Sequence, residues 1–156
     1  GGEFNHGYTY SGHPVACAVG LANIGLIRQL GLVEHVRNDV GPYLARAFAE
    51  LAEHPLVGEA TTCGLMGALL LVKDKATGAA FDPALEIGMV CRGHCFANGL
   101  IMRAVGDRMI IAPPLVITRA QIDEMLALIR RCLDLTLADA LRQGWLNGQP
   151  QLDRFP

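Results

Sequence analysis

Apolar residues recur every three or four positions in two consecutive segments near the start of the chain, and this spacing predicts two helices. The first begins at about Pro14, because proline is tolerated in a first helical turn, and ends at Gly31. The second is predicted over about 32–53, with a bend at Gly41-Pro42. Residues 1–12 show neither the helical spacing nor the two-residue alternation of a strand, which predicts an irregular segment.

The middle of the chain changes to short, continuous apolar runs, which are typical of strands. Two runs, over 57–62 and 64–72, predict extended structure. The unbroken Leu69-Leu70-Leu71-Val72 indicates a central strand that is covered on both faces. Two further runs, over 100–105 and 108–112, flank Gly106-Asp107, which predicts a hairpin with a two-residue turn.

Two more helices are predicted in the second half of the chain. One covers 83–98, and the residues spaced for its inner face are Leu85, Met89 or Gly88, Arg92 and Phe96. The last starts at Thr118, where Thr118 and Gln121 match a capping box, and its apolar stripe comprises Ile122, Met125, Leu126, Ile129, Leu133 and Leu137.

The predicted order is therefore α, α, β, β, α, β, β, α. This order favours the α+β fold class, with a small antiparallel or mixed sheet and helices packed on one face. We divide the chain into an irregular segment over 1–12, a connecting helix over 13–30 and a small domain over 31–156.

Composition narrows the class of protein. The 156 residues are 51% hydrophobic and 18% charged with a net charge of −2, which suits one compact domain and excludes disordered, collagen-like and membrane proteins. The 13 basic residues are scattered, so we expect no nucleic-acid partner. No signal peptide is visible, and five cysteines in mostly apolar stretches suggest a reducing compartment, which predicts a cytoplasmic protein.

Two places could carry chemistry. The string His6-Gly7-Tyr8-Thr9-Tyr10-Ser11-Gly12-His13-Pro14 puts hydroxyl groups and glycines before a helix N-terminus, where an anion is favoured. On spacing alone, an ordinary turn that leads into a helix capped by Ser11, Gly12 or His13 is the simpler explanation. Arg103 shares a strand face with Ile101 and Val105, opposite Ile110 across the turn. It either binds a carboxylate or covers apolar surface, and the spacing leaves both readings open.

Other reactive side chains have simpler explanations. Cys91-x-x-His94-Cys95 lacks a second pair of ligands, so we expect core cysteines and no metal. His35 and His54 show no evident partner and are predicted to be solvated. Asp107 is assigned to the hairpin turn.

Several strings, taken in order, resemble the class III pyridoxal-phosphate aminotransferases, and in particular their ω-amino acid:pyruvate group. They run from residue 4 to about 136 and are Phe4-Asn5-His6-Gly7-Tyr8-Thr9-Tyr10-Ser11-Gly12-His13-Pro14, His54-Pro55-Leu56-Val57-Gly58, Gly64-Leu65-Met66, Leu71-Val72-Lys73-Asp74-Lys75, Asn98-Gly99-Leu100-Ile101-Met102-Arg103-Ala104-Val105-Gly106-Asp107 and Pro113-Pro114-Leu115-Val116-Ile117-Thr118.

The resemblance implies roles for the two ambiguous places. Thr9 would give its hydroxyl and backbone N–H to the phosphate of pyridoxal phosphate bound in the neighbouring subunit, and Tyr8 a backbone N–H. Arg103 would turn inward to bind a substrate carboxylate and outward for an apolar substrate. A homodimer follows, with amine and keto acid substrates.

In this family the lysine that holds the cofactor as a Schiff base lies before the Phe-x-His-Gly segment. Lys73 and Lys75 are the only lysines here and fall in a charged turn, so we expect this chain to have no catalytic residue and to be inactive alone, as the C-terminal part of a transaminase. Two alternatives stay open: a stand-alone α+β module that binds a ligand or partner, and a 4-aminobutyrate or ornithine type of class III aminotransferase.

Overall fold

The computed structural model of the chain describes Gly2 and residues 7–146. Phe4, Asn5 and His6 of the candidate phosphate segment, and residues 147–156, lie outside the described residues.

A four-stranded antiparallel sheet organises the molecule. Its strands are β1 (Val57–Cys63), β2 (Met66–Leu71), β3 (Arg103–Val105) and β4 (Arg108–Ile111), in the spatial order β1-β2-β4-β3. The predicted hairpin is confirmed, because only Gly106 and Asp107 separate β3 from β4. Gly106 has a φ of +55°, a conformation that glycine adopts without a steric penalty.

The helices form where the spacing predicts them, although two of them are interrupted. The first is α1 (Pro14–Gln29). The second predicted helix comprises α2 (Leu32–His35), a π-helical stretch (Val36–Val40), α3 (Gly41–Ala49) and a 3₁₀ turn (Glu50–Glu53). The π stretch precedes Pro42, whose ring has no N–H and crowds the preceding turn. Gly41 is required there, because a Cβ would lie 2.4 Å from the Val36 carbonyl oxygen.

The third predicted helix begins later and turns a different face inward. A 3₁₀ turn (Pro83–Leu85) ends at Glu86, which has a φ of +46°, and α4 (Ile87–Ala97) starts after this break. The predicted inner face is wrong for Met89 and Phe96, which are both about half exposed. The buried residues of α4 are Ile87, Gly88, Cys91 and Cys95, so of the two alternatives offered, Gly88 and not Met89 lies on the inner face.

The last helix, α5 (Arg119–Arg142), confirms the capping box: the Thr118 hydroxyl accepts the Gln121 N–H, and the Gln121 side chain accepts the Thr118 N–H. The core lies between the helices and one face of the sheet. The prediction that Leu69–Val72 is covered on both faces holds for Leu69, Leu71 and Val72, which are buried, but not for Leu70. Strand β2 is central, but its side chains alternate: Leu69 and Leu71 are buried, while Leu70 is only half-buried on the open face.

None of the residues of helix α1 is buried, in contrast to those of α3, α4 and α5. Three of its apolar residues, Val15, Val19 and Leu21, are more than 60% exposed. In the part of the chain that the structure describes, no single helix has the length and apolar composition to cross a membrane. Among the described helices, α1 and the helical residues 32–53 together have that length and composition, but the two are bent by 53° relative to each other.

Candidate functional site

Arg103 stands on the open face of the sheet, at the end of a row of small and apolar side chains. It pairs directly with Ile110 on β4, Ile110 pairs with Ala68 on β2, and Ala68 pairs with Thr61 on β1. Directly opposed residues in an antiparallel sheet share a face. The predicted position of Arg103 opposite Ile110 is therefore confirmed, and the guanidinium lies beside aliphatic side chains on a face that no described helix covers.

Arg103 also differs from its neighbours in having no counter-ion among the described residues. Arg108, on the adjacent strand, lies 3.8 Å from a Glu59 carboxylate oxygen, and Arg119 lies 2.6 Å from Asp39. Within residues 7–146, Arg103 makes no ion pair, hydrogen bond or cation–π contact. An exposed cation that is not tied to a carboxylate of its own chain is available to bind one from a ligand.

The hairpin that carries Arg103 is fixed against α4 by its turn. A Cβ on Gly88 would lie 2.1 Å from the Gly106 carbonyl oxygen, so the turn and the first turn of α4 are in direct backbone contact. The Asp107 carboxylate accepts the Gly88 N–H, while its partial burial raises the pKa of Asp107. Asp107 thus serves the N-terminus of α4 as well as the predicted hairpin turn.

The segment before α1 folds as a tight turn. The Ser11 N–H donates to the Tyr8 carbonyl at 2.9 Å, and Gly12 follows with a φ of +75°. Of the three candidate caps, His13 occupies the N-cap position of α1. Its side chain makes no capping hydrogen bond. The positive end of the α1 dipole follows this turn.

Within this turn the donors of Tyr8 and Thr9 differ. The Tyr8 N–H donates to the Ser11 hydroxyl at 3.1 Å, so it is already engaged. The Thr9 hydroxyl and N–H are exposed and, within residues 7–146, have no hydrogen-bond partner. The donors of Thr9 are therefore available to a ligand, and the cofactor-binding roles of Thr9 and Tyr8 both stay predictions.

The two lysines occupy the charged turn after β2, as predicted. Asp74 and Ala79 form a β-bridge that closes this turn. The Lys75 ammonium is exposed and donates to the Ala52 carbonyl oxygen. Nothing in this turn encloses either lysine in an apolar pocket of the kind that activates an amine as a nucleophile.

The cysteines of α4 are core residues, as expected. Cys91 and Cys95 are buried together with Cys132 of α5, and a hydrogen bond from Cys95 lowers the pKa of Cys91 while raising that of Cys95. His94, between them, contacts Asp139 at 2.8 Å. The described residues contain no group of three or more His, Cys, Asp or Glu arranged to hold a metal ion.

The prediction that His35 and His54 are solvated and without partners is wrong. His35 Nε2 lies 3.1 Å from the Ile117 carbonyl oxygen, to which it donates, and its Nδ1 lies 3.5 Å from Asp39. His54 is buried and contacts Asp134 of α5. The contacts of His35 with Ile117 and of His54 with Asp134 join residues about 80 positions apart, which no local pattern encodes.

The comparisons with known proteins place this geometry in a family. The model of the aminotransferase class-III family matches residues 1–133. The putrescine–pyruvate aminotransferase of Pseudomonas aeruginosa is 57% identical over 141 residues, covering 90% of this chain and 31% of that protein. The diaminobutyrate–2-oxoglutarate transaminase of Halomonas elongata is 38% identical over 146 residues, with 92% and 31% covered.

Solved structures agree. The ω-transferase of Vibrio fluvialis JS17 superimposes with a TM-score of 0.80 at 38% identity, covering 90% of this chain and 33% of that one. An ω-aminotransferase from Paracoccus denitrificans gives 0.80 at 39% identity, covering 88% and 30%. The chain thus spans about a third of the length of the relatives it matches. It belongs to the class-III aminotransferase family.

Proposed function

We propose that this chain forms part of a pyridoxal-phosphate-dependent transaminase that moves an amino group from an amine or ω-amino acid to a keto acid such as pyruvate. The observation that carries this proposal is Arg103, an exposed residue that has no counter-ion within residues 7–146 and stands beside aliphatic side chains on the open face of the sheet. Keto acid acceptors present a carboxylate, which arginine binds through two parallel hydrogen bonds.

Each residue of this chain has a limited task in that reaction. Arg103 binds and orients the acceptor carboxylate, and its free position lets it turn away when an uncharged amine end enters. Thr9 gives its hydroxyl and N–H to the cofactor phosphate in the neighbouring subunit. The bound cofactor supplies the carbonyl group that takes up the amino group and the conjugated ring that accepts electron density.

The substrates and the assembly belong to the same proposal. The 57% identity to a putrescine–pyruvate enzyme favours an aliphatic diamine as donor and pyruvate as acceptor. A mitochondrial gamma aminobutyrate transaminase of Solanum lycopersicum is 34% identical, which makes the 4-aminobutyrate type the weaker candidate. The exposed donors of Thr9 support a homodimer, since they need a phosphate from outside this chain. Free cysteines support a cytoplasmic location.

A chimeric enzyme tests the role of Arg103. In this chimera, the chain replaces the matching 31% of the Pseudomonas aeruginosa relative. The KM for putrescine and the KM for pyruvate are then measured. A hydrogen bond to a charged group contributes about 1.5–3 kcal/mol, so Arg103→Ala should raise KM for pyruvate roughly 10- to 150-fold. KM for putrescine, which has no carboxylate, should stay within about twofold.

Arg108→Ala is the matched control, because Arg108 lies on the same sheet and is held by Glu59. It should leave KM for pyruvate nearly unchanged. An Arg103→Ala chimera with an unaltered KM for pyruvate would contradict carboxylate binding. Faster turnover with 4-aminobutyrate and 2-oxoglutarate than with putrescine and pyruvate would instead favour the weaker candidate.

A further inference from the structure

His54 lies at the corner between the 3₁₀ turn Glu50–Glu53 and strand β1, and its ring is enclosed. Only 5% of its side-chain surface is exposed. The corner is tightly hydrogen-bonded, since the His54 N–H donates to the Leu51 carbonyl at 3.1 Å and the Val57 N–H donates to the His54 carbonyl at 3.0 Å. A titratable ring is therefore built into a rigid part of the backbone.

One nitrogen of the ring completes this corner. The Leu56 N–H donates to His54 Nδ1 at 3.2 Å. A nitrogen that accepts a hydrogen bond carries no proton, so the neutral ring bears its proton on Nε2. The ring thus satisfies a buried backbone N–H, in the way an asparagine side chain does two residues ahead in an Asx turn.

The other nitrogen faces helix α5. His54 Nε2 lies 3.3 Å from an Asp134 carboxylate oxygen, although no described residue is aligned to make a hydrogen bond with it. Three charged groups act on the ring: Asp134 and Arg130 from α5, and Lys75 from the turn after β2. Asp134 favours a charged ring, while the two cations oppose it. Burial has the largest effect and lowers the pKa of His54 below its ordinary value.

We propose that His54 is an acid-sensitive latch, whose neutral ring closes the corner at 54–57 against α5 and whose protonation opens it. A proton added at Nδ1 would point directly at the Leu56 N–H, placing two donors against each other and removing the acceptor. Leu56 and Val57 are at most 1% exposed, so opening the corner uncovers part of the core.

The direction of the pH effect follows from linkage. The folded-state pKa lies below the unfolded-state value of about 6.5, so the unfolded chain binds this proton more readily. The stability contributed by the neutral ring is complete above about pH 6.5 and declines as the pH falls through that value towards the folded pKa. One proton changes the unfolding equilibrium constant by at most about tenfold per pH unit.

Urea unfolding of the 156-residue chain between pH 7.5 and 5, followed by the fluorescence of its single tryptophan, tests the latch. His54→Asn keeps an acceptor for the Leu56 N–H but cannot titrate in this range. As the pH falls below about 6.5, we expect the unfolding equilibrium constant of the unchanged chain to rise, relative to that of His54→Asn, by up to about tenfold per pH unit. The control His13→Asn removes an exposed histidine at the N-cap of α1 and should follow the unchanged chain.

Nuclear magnetic resonance on the unchanged chain gives a second reading that needs no variant. The His54 ring should titrate below the ordinary histidine range, and the Leu56 amide should lose its protection against hydrogen exchange over the same pH interval. Parallel unfolding profiles for the unchanged chain and His54→Asn would overturn the proposal. Titration of His54 without any change in the protection of Leu56 would overturn it as well.

Discussion

Gly88 determines how closely the hairpin that carries Arg103 approaches helix α4, and Gly88→Ala perturbs that contact alone. The new Cβ would lie 2.1 Å from the Gly106 carbonyl oxygen and 3.2 Å from its carbon. Both atoms belong to the backbone, so no side-chain rotation relieves the clash. The hairpin has to move away from α4, and the hydrogen bond from the Gly88 N–H to Asp107 weakens with it.

The magnitude follows from three contributions. Forcing a backbone shift by overpacking costs about 1–3 kcal/mol. Weakening a hydrogen bond costs about 0.5–1.5 kcal/mol. Alanine is a better helix former than glycine by about 1 kcal/mol, which offsets part of the loss. We therefore expect Gly88→Ala to lower the free energy of unfolding by about 0.5–3.5 kcal/mol in urea unfolding monitored through the only tryptophan, Trp145.

Gly93→Ala is the matched control on the same helix. Nothing lies within 4 Å of a Cβ built at Gly93, so only the gain in helix propensity remains. This variant should be more stable than the unchanged chain by about 0.5–1 kcal/mol. If Gly88→Ala proved as stable as Gly93→Ala, the hairpin would not be fixed against α4 by backbone contact, and the account of how Arg103 is positioned would fail.

Two further substitutions test the elements around this contact. Thr118→Ala removes the capping box of α5 and should lower the free energy of unfolding by about 1 kcal/mol, whereas Thr118→Ser keeps the hydroxyl and should lose much less. Phe48→Ala removes a completely buried ring that packs over β2 near Gly67, and should cost about 3–5 kcal/mol in the same assay; a loss below about 1 kcal/mol would contradict its place in the core.

The sequence predicts the elements whose signals are local. The capping box at Thr118 and the two-residue turn at Gly106-Asp107 each lie within a few residues, and both are confirmed. The inner face of α4 differs from the prediction at Met89 and Phe96, because helical spacing groups residues on one face but does not show which apolar face meets the core. The burial on both faces expected for Leu69–Val72 does not hold at Leu70, since a continuous apolar run does not reveal whether a second layer exists.

The surroundings of Arg103 in the candidate site are likewise predictable only where the signal is local. The face on which Arg103 lies follows from strand alternation and the hairpin turn, so Ile110 could be predicted as its neighbour. Ala68 and Thr61 complete the row only through the pairing of β4 with β2 and of β2 with β1, which joins distant parts of the chain. The buried position of His54 likewise depends on helix α5, 80 residues further along.

The central claim is that this chain holds the contacts for the acceptor carboxylate and the cofactor phosphate of a class III transaminase, but not the lysine that binds the cofactor. The most direct measurement is the visible absorbance and the putrescine–pyruvate turnover of the 156-residue chain with added pyridoxal phosphate, compared with Lys73→Ala and Lys75→Ala. We expect no turnover, and no cofactor adduct that either substitution abolishes. Measurable turnover, or a stable adduct lost in one of the two variants, would contradict it.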